Sequence, residues 1–204
     1  MITIVDYGLG NIRSFANLYE RLNIKTKIAR SATDLKDASK IILPGVGAFD
    51  YAITLLNQSG MRDELEKQVI INKVLVLGIC VGMQMLASSS DEGVLPGLGW
   101  IDGSVKLFDA AGITNAARLP HMGWNSINPV RVNPLLAGFD EESRFYFLHS
   151  YYFVCNDEKN MIATTEYGIN YACALNNDNI YGVQFHPEKS HSNGIQLLHN
   201  FAKI

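Results

Sequence analysis

The chain has 204 residues, of which 48% are hydrophobic and 18% charged, and its formal net charge is −3. These values fit one α/β domain over residues 1–204 with a sizeable core, and the lack of a Lys/Arg block argues against a nucleic-acid partner. No run of about 18 apolar residues and no basic leader occurs, so we expect no membrane span and a cytoplasmic protein. Three cysteines without C-x-x-C spacing argue against a disulfide framework and against a zinc site.

The first ninety residues alternate predicted strands with predicted helices. Short β-prone apolar runs predict strands at 2–5, 26–30, 40–45 and 73–79. Helical spacing and capping signals predict helices from residue 12, with Asn11 as its cap, from residue 31, and over 49–57, 61–71 and 81–87. This alternation is typical of an open, mostly parallel sheet flanked by helices.

Glycine-containing loops follow three of the predicted strands, at 8–11, 45–47 and 78–82. In open parallel sheets, ligands bind beyond the carboxyl ends of the strands. The topology therefore predicts a site where these three loops converge.

Beyond residue 100 the pattern changes to β-prone runs that are joined by short loops. We predict strands within the runs 103–108, 118–130, 145–154, 161–167, 171–177 and 180–188, and a closing helix over 191–204. These strands are expected to extend the parallel sheet with antiparallel strands.

A cysteine lies in a strand-to-helix corner with the pattern G-x-C-x-G at residues 78–82. A nucleophile at such a corner takes a strained backbone conformation and needs small neighbours, which the two glycines provide. The start of the next helix favours a thiolate at Cys80, and the Val81 N–H faces an oxyanion that forms during attack. The alternative is a buried structural cysteine in a tight turn, and the motif alone leaves both interpretations open. Cys155 and Cys173 lie in β-prone runs, and we interpret both as buried structural thiols.

A histidine and a glutamate follow near the end of the chain, in the sequence VQFHPEKS. His186 ends an apolar run, Pro187 stops the strand, and Glu188 comes two residues after the histidine. A cysteine nucleophile needs an imidazole to take its proton, and the imidazole needs a carboxylate to hold its tautomer. Together with Cys80, this pattern favours a Cys-His-Glu triad over a structural histidine.

The sequences GICVGMQ at 78–84 and QFHPEKS at 184–190 resemble those of class I, triad-type glutamine amidotransferases, which have a flavodoxin-like fold. The resemblance spans the whole chain and implies hydrolysis of glutamine to glutamate and ammonia through a thioester. Four further sequences, YGLGN, LPGVGAF, PHMGWN and HSYY, resemble the glutaminase subunits of imidazole glycerol phosphate synthase.

This resemblance implies a role for each matching residue. The residues implied as catalytic are Cys80, His186 and Glu188. The backbone donors implied for the oxyanion belong to Val81 and to Val46 or Gly47. The residues implied to contact glutamine are Gln84 and the backbone at His149, Ser150 and Tyr151. The positions that match a partner-facing surface are Asn11 and Trp124.

The same resemblance implies a (β/α)₈-barrel cyclase partner, which binds a ribotide, receives the ammonia, and makes imidazole glycerol phosphate and aminoimidazole carboxamide ribotide in histidine synthesis. No cofactor is expected, and no metal, since His121 and His149 lack a third ligand at suitable spacing. Three alternatives stay open. They are a related glutaminase that supplies a barrel synthase amidating a sugar nucleotide for surface polysaccharide, a cysteine peptidase or other hydrolase, and a redox-sensing protein.

Val46 stands where most members of the class carry one of two paired glycines. A β-branched residue resists the positive φ that would turn its N–H toward an oxyanion. We therefore hypothesise that the free chain has a poorly formed oxyanion hole, and that docking of the liganded partner completes it.

Overall fold

The computed structural model describes residues 1–109 and 119–204, and its strands alternate with helices at first and follow one another later. The strands are β1 Ile2–Val5, β2 Thr26–Ala29, β3 Lys40–Gly45, β4 Leu75–Cys80, β5 Ser89–Ser90, β6 Gly103–Leu107, β7 His121–Ser126, β8 Asn128–Pro129, β9 Arg144–His149, β10 Tyr151–Cys155, β11 Met161–Tyr167, β12 Ile169–Asn177 and β13 Ile180–Val183. The helices are α1 Ile12–Arg21, α2 Ala32–Leu35, α3 Phe49–Gln58, α4 Arg62–Glu66, α5 Val81–Gln84 and α6 His191–Lys203.

Five parallel strands form one half of the main sheet, in the order β2, β1, β3, β4, β13. All four residues of β1 are buried, and so are all but the first residue of β3 and of β4, as expected for strands with helices on both faces. The predicted mostly parallel, helix-flanked sheet is therefore confirmed.

The predicted antiparallel strands are also confirmed, but they divide between two sheets. In the main sheet, β12, β10 and β6 continue from β13 in antiparallel pairs. By contrast, β7 and β9 pair only with each other among the described residues. The apolar run 145–154, which predicts one strand, breaks at Ser150 into β9 and β10, one in each sheet. Arg118, the start of the predicted run 118–130, lies outside the described residues.

Two predicted helices, over 81–87 and 61–71, differ from the structure. The helix predicted over 81–87 ends at Gln84, because the carbonyls of Met85 and Ala87 accept from the N–H groups of Leu98 and Gly99 instead of continuing the helix. The helix predicted over 61–71 is α-helical over Arg62–Glu66 and π-helical over Lys67–Ile71. Over the described ranges, no helix has the combined length and apolar character that crossing a bilayer requires.

The two structural cysteines differ in burial. Cys173 is fully buried within β12, as predicted, and burial raises its pKa far above the ordinary value. Cys155 is only half-buried because it ends β10 next to a turn, so the prediction of a buried thiol is wrong there. Burial and the nearby Asp157 and Asp102 raise the pKa of Cys155 to about 11.

Candidate active site

Cys80 is the last residue of β4, at the corner where the chain turns into α5. Its backbone has φ 56° and ψ −114°, a conformation that side chains rarely adopt, and the residue is 4% exposed. The corner is closed by glycines, since a Cβ at Gly82 would lie 2.0 Å from the Leu43 carbonyl oxygen and one at Gly78 would lie 2.6 Å from the Gly82 carbonyl oxygen. This geometry fits a thiol held at a strained elbow.

His186 and Glu188 reach the thiol because β13 pairs with β4 in parallel. The His186 Nδ1–H donates to Glu188 Oε1 at 2.9 Å, and the two side chains are 4% and 2% exposed. With Nδ1 protonated, Nε2 is the nitrogen left to act toward Cys80, which raises the pKa of the ring and lines the same cavity. The interactions therefore run from the Glu188 carboxylate through the His186 imidazole to the Cys80 sulfur, and we call this series the triad line.

The electrostatics of this line favour a charged imidazole. Burial by itself lowers the pKa of His186, but the hydrogen bonds to Cys80 and Glu188 and their negative charges outweigh burial and raise it above its ordinary value. Burial by itself raises the pKa of the Glu188 carboxyl, but the hydrogen bond to His186 and its positive charge lower it overall. The arrangement therefore suits an imidazole that accepts a proton and holds it beside a carboxylate.

Asn11 supports the same carboxylate. Asn11 occupies the predicted N-cap position of α1, but its side chain makes no capping bond there, and its Nδ2 instead donates to Glu188 Oε1 at 3.0 Å. Glu188 Oε2 is buried and has no hydrogen-bond partner among the described residues. Both bonds to Glu188 therefore converge on one oxygen.

Two glutamine side chains, hydrogen-bonded to each other, lie close to the Cys80 sulfur. Gln84 Nε2 donates to the Tyr151 carbonyl and to Gln184 Oε1, both at 3.1 Å. Gln184 Nε2 in turn lies 3.8 Å from Cys80 Sγ. Gln184 is absent from the predicted site residues, although the alternation of an extended chain places it on the same face as His186, two residues later.

A cavity of about 430 Å³ opens above these groups. Every predicted site residue except Glu188 and Trp124 lines it. Two charged residues of its lining, Glu92 and Lys189, are absent from the predicted site residues. Glu92 Oε2 accepts from the Phe49 N–H at 2.9 Å, so this carboxylate is fixed at the cavity wall.

His149 does not point a free nitrogen into the cavity. Its Nδ1 lies 2.8 Å from the Tyr151 carbonyl oxygen and its Nε2 lies 2.9 Å from the Tyr171 hydroxyl. Burial and the nearby His121 and His186 lower the pKa of His149 to about 3, and burial lowers that of His121 to about 4. No group of three metal-ligating side chains occurs within residues 1–109 and 119–204.

The segment after β3 differs from the elbow. Gly47 has φ 87° and is exposed, while Val46 is half-buried and does not have a positive φ. The positive-φ conformation therefore falls on Gly47, next to the β-branched residue.

Exposed apolar side chains lie on β7, close to the cavity. Met122 is 64% exposed and Trp124 is 38% exposed, although Trp124 also packs edge-on against His191 with ring centroids 5.1 Å apart. Lys189 Nζ lies 5.7 Å from the centre of the Tyr146 ring. These side chains form an accessible apolar strip beside a lysine.

Comparisons with known proteins define the class to which this fold and site belong. The family model "Glutamine amidotransferase class-I" matches residues 3–204. A solved structure described as "Crystal structure of glutamine amidotransferase" superposes with a TM-score of 0.75 at 19% identity, covering 99% of this chain and 97% of that one.

Sequence relatives narrow the class further. The chain is 58% identical to the imidazole glycerol phosphate synthase subunit HisH of Bdellovibrio bacteriovorus and 50% identical to that of Leptospira interrogans, over all of each chain. It is 46% identical over its whole length to a protein named subunit HisH 2 in Pseudomonas aeruginosa. The chain is a class I glutamine amidotransferase and belongs to the HisH family of glutaminase subunits.

Proposed function

We propose that this enzyme hydrolyses glutamine at Cys80 and passes the ammonia to a (β/α)₈-barrel cyclase subunit. The observation that carries the proposal is the line from Glu188 through His186 to Cys80, which ends at the wall of the cavity. A structural cysteine in a tight turn needs neither the imidazole nor the buried carboxylate.

The first half of the reaction forms a thioester. His186 takes the thiol proton, and the Cys80 sulfur attacks the side-chain carbonyl carbon of glutamine. The C–N bond breaks as His186 returns the proton to the leaving nitrogen, which departs as ammonia. Glu188 holds the proton on Nδ1 throughout, so that Nε2 is the nitrogen that transfers protons.

The second half releases glutamate. Water attacks the thioester while His186 takes a proton from it, and the proton then returns to the sulfur as the C–S bond breaks. In both halves an oxyanion forms, and the Val81 N–H and a backbone N–H at Val46 or Gly47 are its proposed donors.

The lining of the cavity suits an amino acid. The Glu92 carboxylate complements an α-ammonium group, and the backbone at 149–151 is the proposed support for the rest of the amino-acid end. Both Nε2 hydrogens of Gln84 are used within the protein, which leaves its Oε1 to accept from the substrate.

The proposed partner contacts the surface that includes Asn11 and Trp124. The exposed Met122 and Trp124 supply the apolar area that a partner interface needs. Ammonia must stay unprotonated to act as a nucleophile, so a closed path into the partner is a physical advantage. We expect the complex to work in the cytoplasm on the ribotide of histidine synthesis.

Co-purification with the barrel cyclase subunit, followed by a glutaminase assay with and without the cyclase ligand, tests this proposal. We expect a stable complex whose glutamate release depends on Cys80, and the matched variant Cys80→Ala to bind the partner but release no glutamate. Glutamate release by Cys80→Ala at the wild-type rate would overturn the proposed mechanism.

A second acceptor is supported by the close relative named HisH 2 in Pseudomonas aeruginosa, since a second-numbered copy is compatible with a separate partner. That candidate is a barrel synthase that amidates a sugar nucleotide. Complementation of a histidine auxotroph that lacks its glutaminase subunit separates the two. Growth without histidine supports the ribotide, whereas failure to grow alongside normal expression favours the sugar nucleotide.

A further inference from the structure

A tyrosine hydroxyl lies between two buried imidazoles behind the cavity. The Tyr171 hydroxyl is 2.9 Å from His121 Nδ1 and 2.9 Å from His149 Nε2. His121 and His149 are directly opposed residues of β7 and β9, and all three side chains are buried. None of these contacts belongs to the line of Cys80, His186 and Glu188.

The donors and acceptors of these three side chains allow only one direction for the hydrogen bonds between them. A carbonyl oxygen only accepts, so the contact of His149 Nδ1 with the Tyr151 carbonyl places the proton on Nδ1. The unprotonated Nε2 of His149 then accepts from the Tyr171 hydroxyl. The single proton of that hydroxyl is donated to His149, so the Tyr171 oxygen accepts from the His121 Nδ1–H. Burial lowers the pKa of both histidines, which keeps the two rings neutral.

Beyond His121, the series of hydrogen bonds continues in the same direction to Asn125. Asn125 Nδ2 donates to the Glu166 carbonyl at 2.8 Å, and Asn125 Oδ1 accepts from the Ser126 N–H at 2.9 Å, which fixes the orientation of the amide. The same Nδ2 lies 3.4 Å from His121 Nε2, the nitrogen that carries no proton. Every group from Asn125 inward therefore donates toward the cavity.

At its other end, this series of hydrogen bonds reaches Gln84, a predicted contact of the substrate glutamine. The Tyr151 carbonyl oxygen accepts from His149 Nδ1 and also from Gln84 Nε2, so both of its lone pairs are used. If His149 lost its Nδ1 proton, one bond to this carbonyl would be lost, and the anchor of Gln84 would loosen with it.

We propose that Tyr171 is a positioning residue for the glutamine pocket, whose hydroxyl holds His149 as the Nδ1-protonated tautomer and thereby fixes the Tyr151 carbonyl and Gln84. This role rests on the proposed glutaminase function, and it acts on glutamine binding rather than on proton transfer at Cys80. The packing of the aromatic rings does not depend on the Tyr171 hydroxyl, since His121 stacks on Tyr167 and Phe147 with ring centroids 3.9 and 4.7 Å away.

The variant Tyr171→Phe tests the role, because it removes the hydroxyl and keeps the ring. In the complex with the barrel cyclase and its ligand, we expect the KM for glutamine to rise about tenfold while kcat stays within about twofold. A merely structural role would lower the fraction of active enzyme, and hence kcat, at an unchanged KM. The matched control is Tyr19→Phe, which removes a buried hydroxyl bonded to the Leu198 carbonyl at 3.2 Å, and its KM is expected to stay at the wild-type value.

The tautomers themselves provide a second measurement on the full chain. Long-range ¹H–¹⁵N spectra of the wild type should show Nδ1 protonated in both His121 and His149, with mixed tautomers for His149 in Tyr171→Phe. An Nε2-protonated His149 in the wild type, or an unchanged KM in a folded Tyr171→Phe variant, overturns the inference. If the wild-type complex releases no glutamate, the proposed function fails, and the wild-type tautomers still decide the direction of the hydrogen bonds.

Discussion

The two strand ends that border the cavity differ in how tightly the protein holds them. After β4, the Cys80 elbow is buried and its glycines leave no room for a Cβ. After β3, Gly47 is exposed, and a Cβ added there meets nothing within 4 Å. The proposed nucleophile, Cys80, is thus fixed by its own chain, whereas the segment proposed to complete the oxyanion hole has room to turn. An enzyme built this way is suited to control by a partner that acts on the loose end only.

The largest effect is expected from a substitution on the rigid side. Gly82→Ala places a Cβ 2.0 Å from the Leu43 carbonyl oxygen, so the corner must open, and we expect a loss of at least about 4 kcal/mol in the free energy of unfolding. Gly47→Ala is the matched control, since only its φ of 87° is unfavourable, and it is expected to lose about 1 kcal/mol. Equal losses in urea denaturation would contradict the difference between the two ends.

The next effect concerns the carboxylate behind the rigid nucleophile. Glu188→Gln keeps the shape but removes the charge that raises the pKa of His186, so kcat for glutamine hydrolysis should fall about 10³-fold. Asn11→Ala removes the second donor to the same oxygen and should cost about tenfold at most. A Glu188→Gln variant within tenfold of the wild-type kcat would mean that the carboxylate does not orient the base.

A pH effect on stability separates the buried His121 and His149 from the proposed catalytic base, His186. His121 and His149 are neutral in the folded protein at pH values where the unfolded chain takes up protons, so stability falls as pH drops below about 6.5, by up to about 1.4 kcal/mol per pH unit for each residue. The pKa of His186 is raised, so its contribution is fully present below about pH 6.5 and is lost only on the alkaline side.

Denaturation midpoints measured from pH 7 to pH 4.5 test this expectation. His121→Phe keeps an aromatic ring between Phe147 and Tyr167 and should reduce the acid slope by about half. An unchanged slope in this variant would show that the loss of stability arises elsewhere.

The smallest effect is expected on the loose side. Val46→Gly removes the β-branched resistance to a positive φ, so the free chain should gain glutaminase activity by about tenfold. The liganded complex should stay within about twofold of the wild type. Steady-state rates of the free chain and of the liganded complex measure the ratio, and a free wild-type chain as fast as the complex would remove the hypothesis.

The parallel strands, the elbow at Cys80 and the pairing of Cys80 with His186 were predictable from the sequence. The parallel strands are short apolar runs, and the elbow needs glycines for steric reasons that the G-x-C-x-G pattern carries by itself. The pairing of Cys80 with His186 was predictable because a thiol nucleophile needs a base, and few histidines follow a strand in the required way.

The parts that were missed depend on contacts between distant segments. Asn11 satisfies every local requirement of a helix cap, yet its amide bonds to Glu188, far along the chain. Tyr171 lies in a strand whose pattern does not single it out, and no spacing rule relates it to His121 or His149. Gln184 lies just beyond β13, and the alternation that places it on the same face as His186 does not indicate that it contacts Cys80. The break at Ser150 was equally hidden, because the residues on both sides of it are aromatic and β-prone.

The position of β13 in the sheet affects when the site forms during synthesis. This strand lies between β4 and β12, and Gln184 just beyond it is 104 residues away from Cys80 along the chain. The segment that carries Cys80 emerges from the ribosome first, when the edge of β4 that later pairs with β13 is still unpaired. We therefore expect a nascent or truncated chain that ends before β13 to have Cys80 without its proposed base, and to release no ammonia before the fold is complete.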